Sequence, residues 1–72
     1  MSDYNGWKNW DTWNSNLWLT NDECTYSMAK HCYKPEQLEE ILTSMIDDGI
    51  IKDNIDVNEV DFNEIYDSIN EE

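Results

Sequence analysis

The sequence predicts an all-α fold, a single domain (1–72) of about four short helices near 10–20, 22–34, 35–48 and 61–70, with an irregular connection over 50–60. Three observations carry that prediction. Leu38, Ile41, Leu42, Met45 and Ile46 recur at i, i+3, i+4, i+7 and i+8, the spacing of one helical face. Phe62, Ile65, Tyr66 and Ile69 form a similar stripe near the end of the chain. Pro35 and Gly49 bracket the first stripe, one suited to opening a helix and the other to closing it.

Asn5-Gly6 signals a turn ahead of the first helix. Trp10, Trp13, Leu17 and Trp18 then fall at i, i+3, i+7 and i+8, which predicts a helix with this stripe turned inward. Asn9, Asp11 and Thr12 are all suited to cap it. Its Asn14-Ser15-Asn16 interior has poor helix propensity, so packing must hold it. Asn21 is the expected cap of the second helix, with Asp22 and Glu23 in the first turn and Lys30, His31 and Lys34 at the other end, as the helix dipole favours. Between 50 and 60, Ile50, Ile51, Ile55 and Val57 serve as anchors or as one short strand. The last helix opens on Asp61-Phe62-Asn63-Glu64, a capping-box pattern with aspartate in place of Ser or Thr, and Val60 is placed to staple against Ile65.

A chain of 72 residues buries only about 60% of its unfolded surface, so its stability margin is thin and some staple is expected. Cys24 and Cys32 are too few for a disulfide framework. Eight residues apart on one helix they stand ~12 Å apart along the axis, beyond bridging distance. The start of the chain has no basic, apolar leader, and no stretch is long enough to span a membrane, so a cytoplasmic protein is expected. Four tryptophans and four tyrosines are then the expected staple, with most of the tryptophans inside and Trp7, nearest the terminus, left exposed.

The net charge is −13, and it is unevenly spread. Residues 1–34 carry Asp3, Asp11, Asp22 and Glu23 against three lysines, whereas residues 35–72 carry the other thirteen acids against Lys52 alone. Such a surface repels nucleic acid and anionic membranes and attracts basic partners.

The stretch from Tyr4-Asn5-Gly6-Trp7 through Asn9, Thr12-Trp13-Asn14 and Leu17-Trp18 to Asn21-Asp22-Glu23 resembles the start of a family of small bacteriophage and bacterial proteins of unknown function. Their pattern is close to YNGWxNYxTWNxxLWxxNDE, and members often close with an aromatic-x-Glu-Ile segment, matched here by Phe62, Glu64 and Ile65. Trp10 departs from the usual tyrosine. The N-terminal match covers about a third of the chain. The resemblance implies a compact helical domain and a phage or mobile-element context, and no activity.

Catalysis finds no support in the residues. His31 and Cys32 are adjacent, so on a helix they diverge by ~100° and cannot form a nucleophile pair. The chain has two glycines and no phosphate-binding loop. A calcium loop starting at Asp53 fails, with Ile55 at its third position and Asn58 at its sixth. Cys24, His31 and Cys32 lack a fourth zinc ligand. No enzyme, metal or cofactor is therefore expected. The expected function is binding. On the third helix Glu36, Glu39, Glu40, Asp47 and Asp48, and on the fourth Glu64 and Asp67, face away from the aliphatic stripes, and could meet a basic host protein as a DNA-like surface. Alternatively the partner is met by the aromatic half through Trp7 and Trp10, with the acids serving only solubility. Homodimerisation is compatible with either reading.

Overall fold

The computed structural model of the chain describes residues 6–71. Four α-helices run in order, α1 (Trp10–Asn21), α2 (Glu23–Lys30), α3 (Pro35–Asp47) and α4 (Phe62–Asn70), with a single 3₁₀ turn at Val57–Glu59 before the last. The fold is all-α, and the expected alternative of a short strand over 50–60 is not realised. α1 packs on all three other helices and on the 3₁₀ turn, and α3 packs chiefly on α4. None of the described helices is long and apolar enough to cross a membrane.

Local chemistry explains the boundaries. Asn9 caps α1, its side-chain oxygen accepting from the Thr12 amide at 2.8 Å. α2 is capped by Asp22 rather than Asn21, because α1 continues through Asn21 and leaves one residue between the helices. α2 also stops at Lys30, four residues short of the expected end. Its last turn tightens to i−3 bonds, His31 to Met28 and Cys32 to Ala29. Lys34 is then extended (φ −158°, ψ 153°), as the ring of a following proline requires.

α3 starts on Pro35 and closes with a full Schellman motif: the Gly49 amide donates to Ile46 O and the Ile50 amide to Met45 O. Gly49 sits at φ +78°, a conformation glycine adopts without the steric cost of a side chain. α4 is capped by Asp61, which accepts from the Glu64 amide at 3.1 Å. The reciprocal half of the capping box is absent. The Asp61 amide donates instead to Thr12 Oγ1 (2.9 Å), and Glu64 Oε1 accepts from the Lys8 amide (3.0 Å).

The core overturns the expectation of a tryptophan staple. Its buried hydrophobic residues are Leu19, Ala29, Leu38, Leu42, Met45, Ile51, Val60, Ile65 and Ile69. No aromatic residue is among them. Trp7, Trp18, Tyr26, Phe62 and Tyr66 pack around this cluster half-buried. The reason is amphipathic: an indole has an N–H that needs a partner, and a ring at the boundary can give its body to the core and its N–H to the surface. Trp18 does this, its Nε1 donating to Asp53 Oδ2 at 3.2 Å.

α1 is turned about its axis relative to the expected stripe. Thr12, Ser15 and Leu19 face the core, each 0% exposed, while Trp10 and Leu17 are each 40% exposed. What holds α1 is a row of polar bonds to the segment before α4. Asn9 Nδ2 donates to Glu59 O (2.8 Å) and Asn14 Nδ2 to Asp53 Oδ2 (3.0 Å). Asp11 Oδ1 accepts from the Asp56 amide (3.1 Å), alongside the Thr12–Asp61 bond. These bonds, with Ile51 buried and Ile55 and Val57 half-buried, order a connection that lacks regular structure over most of its length.

Candidate functional site

Glu36, Glu39, Glu40, Asp47 and Asp48 are all exposed and, with Thr43 and Ser44, line one shallow depression on the outer side of α3. The geometry follows from the helix: with Leu38, Leu42 and Met45 buried, residues displaced from that stripe must face water. Glu36 stands three and four positions from Glu39 and Glu40, so their Cβ atoms are ~5–6 Å neighbours and their like charges repel. Asp47 and Asp48 lie at the negative end of the helix dipole, and no basic residue stands in the last turn of α3 or of α4. Asp47 and Asp48 are thus placed against local helix stability, whereas Glu36, in the first turn of α3, is favoured by the dipole.

The other two predicted acids form a neighbouring patch. Asp67 is exposed and Glu64 half-buried, the latter engaged by the Lys8 amide. Lys8 lines the junction between the patches: it borders Glu36 and Glu39 on one side and Glu64 and Asp67 on the other. The field is therefore continuous around α3 and interrupted by one cation before it resumes on α4. The Lys30 ammonium lies 5.1 Å from the centre of the Tyr26 ring, held by a cation–π contact.

The alternative aromatic pair is divided. Trp7, the tryptophan expected to be exposed, is half-buried and packed against the core, whereas Trp10, on α1, is 40% exposed.

These features are matched over their whole length by one family model. It is described as a family of unknown function (DUF7249) and covers residues 1–72. The chain belongs to that family. No curated protein and no solved structure matches it.

Placed on the fold, several residues of the N-terminal stretch are structural. Asn9 and Asp22 cap helices, Thr12 and Asn14 bind the connection, and Trp18 reaches Asp53. His31 and Cys32 come to one groove, between α2 and α3. Each is engaged with the backbone of its own helix. His31 Nδ1 lies 2.7 Å from Ser27 O and, since a carbonyl only accepts, donates to it; Cys32 Sγ donates to Met28 O at 3.5 Å. Burial pushes the Cys32 thiol up, and the Glu40 charge adds to the effect, so the thiolate needed for nucleophilic attack is disfavoured. Among the described residues no group of three His, Cys, Asp or Glu side chains is placed to hold a metal ion. The lining of that groove, Met28, Ile41, Met45 and Ile50, was not foreseen from sequence. Only the tertiary fold brings two helices and a helix-terminating turn to one place.

Proposed function

We propose that this chain is a non-enzymatic binding protein, phage-encoded, that engages a basic surface on a host nucleic-acid-binding or defence protein through the acidic face of α3 and so inhibits or modulates it. The observation that supports this reading is the row of exposed carboxylates Glu36, Glu39, Glu40, Asp47 and Asp48 on one helix face, in a chain of net charge −13. A small domain is kept soluble by a net charge of magnitude ~2–8, so the surplus exceeds that need. Its self-repulsion would be relieved by cations supplied from outside. A groove that accepts duplex DNA, which carries one negative charge per ~1.7 Å of axis, offers such cations.

Affinity capture from a bacterial lysate at low salt, eluted by a salt step, tests the reading. A specific basic protein is expected to elute, to be displaced by duplex DNA, and to be lost from a variant carrying Glu36→Gln, Glu39→Gln, Glu40→Gln, Asp47→Asn and Asp48→Asn. Retention that is indifferent to salt and to those substitutions would remove the electrostatic mechanism.

A second reading is favoured by the 40% exposure of Trp10 and Leu17 on α1: a partner docks on that face and the acids serve solubility. Trp10→Ala distinguishes the two, since loss of capture with an unchanged melting temperature would place the contact on α1.

A further inference from the structure

The acidic face of α3 is one wall of a groove that is part apolar and part polar. Glu40, Ser44 and Asp48 recur every four residues, so they form a single row, and that row borders both the carboxylate depression and a groove of about 550 Å³ between α2 and α3. The rest of the lining is Met28, Cys32, Ile41, Met45 and Ile50, beside the polar Thr25, His31 and Gln37. Met28 and Ile50 are each 53% exposed, an unusual expenditure of apolar surface in a chain short of core. Ile50 is held there by the Schellman turn, whose Ile50 amide is bound to Met45 O at 3.0 Å. The lining contains Glu40 and Asp48 and no lysine or arginine.

We propose that this groove receives an amphipathic helix bearing basic residues, contributed by a protein partner. Its apolar side would lie on Met28, Ile41, Met45 and Ile50, and its lysines or arginines would meet Glu40 and Asp48. Charge complementarity selects this occupant: a wall of one sign beside an apolar floor matches a helix that is cationic on one flank and apolar on the next. Exposed Met28 can adjust to differing anchors, as a flexible thioether does. A second copy of the chain is a poorer match. Of its four lysines only Lys30 and Lys34 stand close in sequence, at and just after the end of α2, which already walls this groove, and two chains of net charge −13 repel. α3 has 13 residues and is ~20 Å long, enough to lie along a helix of similar length.

The proposal deepens the acidic-surface reading and rests on it for the sign of the partner, while adding a requirement for apolar contact. The test uses two synthetic leucine–lysine peptides of identical composition, one spaced to be amphipathic as a helix and one scrambled. Binding is measured by calorimetry to the wild type and to a Met28→Ser, Ile50→Ser variant whose melting is checked. The helical peptide is expected to bind about tenfold or more tightly than the scrambled one and to lose that advantage on the variant. Equal binding of both peptides, released by salt, overturns the groove and leaves the acidic surface standing. Binding of neither also overturns the groove, and the lysate capture then judges the acidic surface on its own.

Discussion

α1 and α3 are nearly equal in length, 12 and 13 residues, yet they meet the core with opposite chemistry. α3 buries Leu38, Leu42 and Met45 and shows carboxylates to water. α1 buries Thr12, Asn14, Ser15 and Leu19 and leaves Trp10 and Leu17 outside. The first arrangement needs only the hydrophobic effect. The second works because two of the three buried polar side chains of α1 find partners far along the chain, Asn14 on Asp53 and Thr12 on Asp61. A buried polar group that is satisfied is tolerated, and one that is not costs ~1–3 kcal/mol. Polar residues on one helix thus organise an irregular segment, while apolar residues on the other supply cohesion.

The sharpest way to break this comparison lies within α1. Leu19→Ala is expected to destabilise the fold by about 2–5 kcal/mol, enough to unfold much of a small domain, whereas Leu17→Ala should stay within about 0.5 kcal/mol. Urea denaturation of both variants measures this, and a larger loss at Leu17 than at Leu19 would mean that α1 faces the core as its apolar stripe suggests. A smaller effect is expected at the polar tether. A double-mutant cycle on Asn14→Ala and Asp53→Ala should return a coupling of about 0.5–3 kcal/mol, and additivity would show that the bond contributes nothing. The smallest effect concerns Ser15, whose buried hydroxyl has no hydrogen-bond partner. Ser15→Ala removes that group and improves helix propensity, so its melting temperature should match or exceed that of the wild type.

Much of the fold could be read locally. The stripes of α3 and α4, the opening at Pro35, the Gly49 turn and the Asp61 cap rest on spacings of a few residues, and each appears as expected. The exposed acids of α3 were legible for the same reason, since a helix that buries one face shows its other face to water. Glu64 was only partly so, because its engagement by the Lys8 amide spans 56 residues. The α2–α3 groove was not legible at all, being assembled from two helices and the turn that ends one of them.

Sequence by itself therefore determined the helical class, most helix boundaries and the concentration of charge in the second half, since these follow from local periodicity, capping and composition. Tertiary structure alone decided which way α1 faces and that the core is aliphatic. Tryptophan is both large and polar-tipped, and Thr12, Asn14 and Ser15 could have faced either water or protein. Burial of Thr12 and Asn14 became acceptable once Asp61 and Asp53 were folded against them.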